Sequence, residues 1–273
     1  MEHQGAQRVV PILLYHRVVR SSSAAARSPF SVTEHEFDEH LSLLRDSGAR
    51  PVTVGELVAL RRFAGDGGVA PGTVVVTFDD GYRDFAEVAL PLLERHHVPC
   101  SLYVVSDFVG GTSSWTSDPA PLMDWSELRA LADSAAGVEI GAHSARHLEL
   151  DTAPADVARE EIVGSRATLE ERLGQAVDSF AYPFGHHHKR VRQAVIDAGY
   201  RSACAVKNQL SPADDDPYSL ARVTITAGTG LDRLSRILHG AASVAVADSG
   251  ERLRTRGFRV FRRIAHRGHT GHG

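Results

Sequence analysis

Two hydrophobic patterns alternate along the chain. Short, nearly continuous apolar runs predict buried strands: PILLYHRVV (11–19), TVVVTF (73–78), CSLYVV (100–105), VEIGAH (138–143), DSFAYPFG (178–185), RSACAV (201–206) and LARVTIT (220–226), with another near Pro51–Val54. Between them, apolar residues recur every three or four positions, the period of a helix packed on one face. In TEHEFDEHLSLLRDSG (33–48), Thr33 and Glu36 form a capping-box pattern, Phe37, Leu41 and Leu44 make the stripe, and Gly48 is the stop. Asp124 and Glu127 repeat the capping pattern ahead of WSELRALADS. Further helices are expected from about Gly55 to Phe63, over Asp84–His96 with a kink or break at Pro91, over 155–174, and over 188–200 with Gly199 as its end.

Buried strands separated by helices imply an α/β fold built on a parallel sheet or barrel, in which chemistry gathers at the C-terminal strand ends. The residues at those ends are Tyr15-His16, Asp79-Asp80, Ser106-Asp107, His143-Ser144 and Tyr182-Pro183-Phe184-Gly185. One rim of the fold therefore collects most of the ligand-capable side chains.

Composition changes this picture in a few places. The chain of 273 residues is long enough for a large core and shows no internal repeat. A mild net charge of −4 argues against nucleic acid as a partner. Cys100 and Cys204 lie in apolar surroundings and read as buried thiols of a reducing compartment. The N-terminal stretch MEHQGAQRVVPILLYHRVV has neither a signal-peptide pattern nor an apolar run of membrane-spanning length, so the expected location is the cytoplasm. We divide the chain into a catalytic-type domain over 1–240 and a basic tail over 241–273. In the tail, arginines from Arg252 to Arg267 interleave with Leu253, Phe258, Val260, Phe261 and Ile264. That pattern suits a peripheral contact with an anionic membrane or a polyanion, and equally a helix packed on the domain. Nothing in the sequence sets the oligomeric state.

Asp79 and Asp80 pose the sharpest question, because adjacent carboxylates at the mouth of a core oppose each other's ionisation. Asp-Asp-Gly is also good turn chemistry. His143 and His147, four residues apart, can aim both imidazoles at one point. With a carboxylate from a second strand end they make the two-histidine, one-aspartate set of a hydrolytic metal site with open positions. A divalent cation beside Asp80 would offset the repulsion from Asp79 and leave that neighbour free to take a proton. Zinc is the default for such ligands, while cobalt, nickel, manganese and iron accept the same set.

TFDDGY, the HSxxH that follows VEIGAH, and AYPFG together resemble the NodB-homology polysaccharide deacetylases, carbohydrate esterase family 4. The resemblance spans roughly Val9 to Leu234. PILLYHRVV, MDWSEL and YPFG resemble the branch containing poly-N-acetylglucosamine deacetylases. It implies a single-domain, distorted and incomplete (β/α) barrel. It also implies Asp79 as general base, Asp80, His143 and His147 as ligands of one divalent metal, and the Phe184 N–H as an oxyanion donor. His16, Tyr182 and Pro183 would then lie in the substrate pocket. Two departures stand out. Ala181 occupies the position where many members carry an arginine that orients the base, and no late Leu-x-x-His pattern supplies the general acid. Nor does a tryptophan follow AYPFG, since Trp115 and Trp125 precede it. His186 is the acid candidate by position and His16 the next.

The expected function is metal-dependent hydrolysis of N-acetyl, less readily O-acetyl, groups on a carbohydrate or glycoconjugate. The alternatives are an amidohydrolase or deformylase acting on a non-sugar amide and, in another class, a catalytically degenerate sugar-binding protein.

Overall fold

The computed structural model describes residues 9–23, 25, 28–64, 68–132 and 137–240, so the basic tail lies outside the described residues. The first apolar run is not one strand. After a short β1 (Val9–Val10), it divides into β2 (Ile12–Tyr15) and β3 (Arg17–Val19), and His16 stands at the break between these two. β3 leaves the main sheet to pair in parallel with β4 (Ser31–Thr33). Helix α1 (Glu34–Asp46) starts where expected: the Thr33 hydroxyl accepts from the Glu36 N–H, and the Glu36 carboxylate accepts from the Thr33 N–H. β5 (Arg50–Val52) and α2 (Val54–Ala64) follow, then the fully buried β6 (Thr73–Phe78). The helix expected over Asp84–His96 opens as a π-helical turn (Phe85–Ala89) and continues as α3 (Leu90–His96). Pro91 sits in the first turn of α3, directly after the π-helical turn. The remaining elements are β7 (Cys100–Val104), α4 (Trp125–Ala132), β8 (Val138–Ala142), α5 (Ala155–Leu173), β9 (Ser179–Ala181), α6 (Lys189–Asp197), β10 (Ser202–Cys204), β11 (Ser211–Pro212), β12 (Val223–Thr224) and α7 (Leu231–Leu238).

The main sheet runs β10-β9-β8-β7-β6-β2-β12, with β5 also paired to β6, and every pairing in it is parallel. It curls into a half-barrel, so each strand has a convex face under the helices and a concave face toward the interior. Side chains alternate between these faces. Leu13, Tyr15, Val74, Val76, Phe78, Phe180 and Tyr182 belong to the large core shared with α1, α3, α4 and α5. Ile12, Val75, Tyr103, Ala181 and Cys204 belong to a second, smaller core on the concave side, closed by Val54 and Leu57 of α2. Both cysteines are buried and unpaired with each other, as expected. Among the described residues no helix is long and apolar enough to cross a membrane.

The alternation positions the chemistry. Asp79 follows Phe78, so it shares the concave face with Val75 and Thr77. His143 follows Ala142 on the same logic, and Arg222 precedes the convex-facing Val223. Gly141 lets these strands approach: a Cβ there would stand 2.6 Å from the Tyr103 ring.

Candidate active site

Asp79 and Asp80 lie at the end of β6, each only 3% exposed, and point to different partners. The Asp79 N–H donates to the Tyr15 carbonyl (3.1 Å), which prolongs the β6–β2 ladder by one residue. The chain then turns: Asp80 has φ 76° and Gly81 φ 77°. Asp80 is one of four site residues in the left-handed region, with Ser144 (63°), His147 (59°) and Phe184 (58°). Such backbone costs energy for a residue with a Cβ, and its concentration on one rim is the mark of a functional constellation.

His143 and His147 come from the tight turn after β8, not from a helix. Inside that turn, the Ser144 hydroxyl accepts from the His147 N–H (3.0 Å). The buried Glu161 carboxylate of α5 accepts from the Arg146 N–H (2.7 Å) and from its guanidinium. The Nδ1–H of His143 donates to the Ala181 carbonyl (2.8 Å), which leaves the Nε2 lone pair for the site. That Nε2 lies 3.5 Å from Asp80 Oδ1, and His147 Nε2 lies 3.2 Å from the same oxygen. Yet Asp80 Oδ1 is buried without a hydrogen-bond partner among the described residues. One ligand atom from each of Asp80, His143 and His147 lies within 4.8 Å of the others. Three acceptors facing one point, one of them a buried carboxylate oxygen without a donor, fit a divalent cation.

Asp79 is occupied differently. Arg222, with no exposed surface, grips it with both terminal nitrogens, Nη1–Oδ1 at 2.6 Å and Nη2–Oδ2 at 2.8 Å. Arg222 also reaches Thr77 Oγ1 and the Ala205 carbonyl, and lies over the Tyr103 ring. Burial pushes the Asp79 carboxyl up, but the charge of Arg222, then that of His143, and the hydrogen bonds of Arg222 leave it below the ordinary range. Asp80 likewise ends well below it, burial being overcome by His147 and His143. Burial lowers His143 to about 4, so its imidazole is neutral and free to ligate. The two carboxylates thus have separate partners, Asp79 a fixed arginine and Asp80 the pair of histidines.

Other predicted residues sort by strand face. His16 stands half-buried at the end of β2, and its charge would bear on both Asp79 and Asp80. Pro183 is buried in the turn after β9, and the Phe184 side chain meets His147 edge-on at 4.6 Å. Gly185 closes this turn with φ 70°, and a Cβ on it would stand 2.3 Å from that of Val206. Tyr182 alternates to the convex side: its ring is fully buried between Phe180 and His187, and its hydroxyl donates to the Tyr218 carbonyl (2.9 Å). It supports the turn from behind. In the HHH run, His186 follows the turn half-buried, His187 stacks on Tyr182, and His188 caps α6 through Nδ1. Trp115, noted from sequence only as preceding AYPFG, lies flat on the His147 ring with centroids 4.4 Å apart.

Comparison with known proteins agrees with this geometry. The family model described as polysaccharide deacetylase matches residues 66–203. YxkH of Bacillus subtilis, whose name assigns it provisionally to the polysaccharide deacetylases, is 25% identical over 80% of this chain and 72% of its own length. The poly-beta-1,6-N-acetyl-D-glucosamine N-deacetylase of Staphylococcus epidermidis is 21% identical over 78% of each chain. Among solved structures, the deacetylase PplD of Streptococcus pyogenes, in complex with acetate, superposes with a TM-score of 0.72 at 24% identity, covering 84% of this chain and 98% of its own. IcaB from Ammonifex degensii gives a TM-score of 0.71 at 24% identity, with 87% and 99% covered. The chain belongs to the polysaccharide deacetylase family, hydrolases that remove acetyl groups.

Proposed function

We propose that the protein is a metal-dependent N-deacetylase of an acetylated amino-sugar polymer or glycoconjugate, with Asp79 as general base. The observation that carries this reading is the division of labour between adjacent carboxylates: Asp79 held by Arg222, and Asp80 held among His143 and His147. Asp80, His143 and His147 would hold one divalent cation, zinc by default. When bound, that ion supplies Lewis acidity and makes water more acidic.

The chain's own groups account for the proton traffic. Asp79, ionised and fixed by two hydrogen bonds, takes a proton from the attacking water. The Phe184 N–H, in the turn after β9, donates to the oxyanion that develops on the acetamide carbonyl. The leaving amine needs a proton, and we assign that step to His16, which follows β2 level with Asp79 at the neighbouring strand end. His186, on the far side of the turn, is the alternative donor. Arg222, just before β12, performs the orienting task that Ala181 cannot, which weighs against a degenerate binding protein.

Acetate release and metal content, measured together on wild type and Asp79→Asn with a panel of N-acetylated saccharides, test the reading. Release that vanishes while about one metal per chain remains supports it. Metal-free protein, or undiminished release from the variant, would overturn it.

A further inference from the structure

The half-barrel has a seam. Its sheet runs from β10 at one edge to β12 at the other. The edges meet where Leu220 bridges Cys204: the Leu220 N–H donates to the Ala203 carbonyl (2.9 Å), and the Leu220 carbonyl accepts from the Ala205 N–H (2.8 Å). Three residues later the chain has left β10 for β2, with Val223 beside Leu13. Ala221 and Arg222 make that transfer. The arginine that grips Asp79 therefore stands on the step between two ladders.

A strand that changes partners leaves backbone N–H groups in need of new acceptors. Side chains of the 207–216 loop supply them. Asp215 Oδ2 accepts from the Ala221 N–H (2.7 Å), and Asn208 Oδ1 accepts from the Thr224 N–H (3.1 Å). Arg222 lies between these two clips. The Asp215 side chain, 8% exposed, is itself anchored: Oδ2 also accepts from the Ser211 hydroxyl (2.9 Å), and Oδ1 pairs with Lys207 Nζ (3.0 Å). Ser211 in turn accepts from Arg61 of α2, on its hydroxyl (3.0 Å) and its carbonyl (3.1 Å). A carboxylate held by several fixed donors is a rigid point, and a bond to a charged acceptor is roughly twice as strong as a neutral one.

We propose that Asp215 is a positioning residue for the reaction. By holding the Ala221 N–H it fixes the backbone from which Arg222 extends, and so the angle at which the guanidinium fork meets Asp79. The proposal rests on the deacetylase reading above, with Asp79 as base. A small rotation of the Ala221–Arg222 peptide is magnified at the end of so long a side chain. The fork must stay in the plane of the carboxylate to keep both of its bonds.

The test compares zinc-loaded wild type with Asp215→Ala, Asp215→Asn, Arg222→Lys and the double variant, by acetate release from N-acetylglucosamine oligomers. Asp215→Ala should lose about tenfold in kcat with KM changed less than about twofold, because orienting the base serves the reaction step and not substrate docking. Asp215→Asn keeps an acceptor for the Ala221 N–H and should recover most of the loss. Asp215→Ser, too short to reach Ala221, makes the same comparison should the alanine variant not fold. In the Arg222→Lys background the fork is already gone, so adding Asp215→Ala should lower kcat by less than about another twofold. Equal losses in the two backgrounds, or an undiminished kcat in Asp215→Ala, would overturn the proposal.

A second readout needs no turnover. The Arg222 Nε–H resonance of the metal-free protein is assigned by its loss in Arg222→Lys. Its exchange with solvent should quicken at least about tenfold in Asp215→Ala and stay near wild type in Asp215→Asn. Unchanged exchange in Asp215→Ala would also overturn the proposal. If wild type releases no acetate, the deacetylase reading fails by itself, and this resonance still decides whether Asp215 holds Arg222.

Discussion

Arg222 and Asp79 are 143 positions apart in sequence and make a two-pronged ion pair, at 2.6 and 2.8 Å, with the arginine wholly buried. Removing one partner of a buried pair leaves an uncompensated charge and costs about 3–5 kcal/mol. Arg222→Met should therefore lower unfolding stability by that amount. It should also raise the Asp79 pKa, so that the acid limb of the kcat/KM profile moves to higher pH. Arg222→Lys keeps the charge, loses the fork and should fold. Its activity should fall at least tenfold with the acid limb shifted less. An unchanged pH profile in both variants would show that Arg222 does not set the state of the base.

The origin of this pair explains what could be read from sequence and what could not. The strands, the capping box at Thr33 and the motif residues Asp79, Asp80, His143 and His147 are local patterns, and local physics produces them. Arg222 lies in LARVTIT, an apolar run, and nothing nearby calls for a charge. Its partner appears only when β12 lies beside β2 in the register Val223 to Leu13. Period-two alternation carries part of the missing signal. Leu220, Arg222 and Thr224 share one face of that run, as Val75, Thr77 and Asp79 share one face of β6. The same count puts Tyr182 on the face away from the site. Trp115 had no such clue, since an irregular loop has no period.

Glu161 should act on the ligand turn without touching the metal. Its carboxylate holds the Arg146 N–H and guanidinium between His143 and His147. Partners that orient ligands in this way are worth about 10–100-fold in metal affinity. Glu161→Ala should weaken zinc by that factor in competition with a chromophoric chelator, while Glu161→Gln, which keeps an acceptor for the N–H, should lose less. Equal zinc affinity in all three proteins would make Glu161 a stability residue only.

Metal binding should also register in stability. A ligand bound only by the folded chain stabilises it, by about 2.7 kcal/mol at a hundredfold excess over Kd. Adding zinc to chelator-stripped protein should raise Tm, and the rise should vanish in Asp80→Ala. Asp79→Asn should keep it, because Asp79 is committed to Arg222. A lost shift in Asp79→Asn would exchange the roles assigned to the two carboxylates.

His187 gives a pH dependence away from the metal ligands. Burial, then the nearby Lys207 charge, lowers its pKa from 6.5 to about 4, while the ring stacks on Tyr182 (4.3 Å) and Nε2 meets the Ser219 hydroxyl (3.0 Å). The folded chain thus favours neutral imidazole, and the unfolded chain binds the proton more readily. The stabilisation is full above pH 6.5 and is lost as pH falls toward 4. A shift of that size corresponds to about 3 kcal/mol over the window. Buried His143 has the same sign, and carboxylates titrate at the lower end, so the wild-type curve alone cannot be apportioned. The difference between wild type and His187→Gln can. Urea unfolding at pH 7.5 and 4.5 should show a smaller acid loss in the variant, with most of the difference developed between those two values. Parallel curves would mean that His187 is protonated in the fold as readily as in the unfolded chain, and that its stack on Tyr182 tolerates the charge.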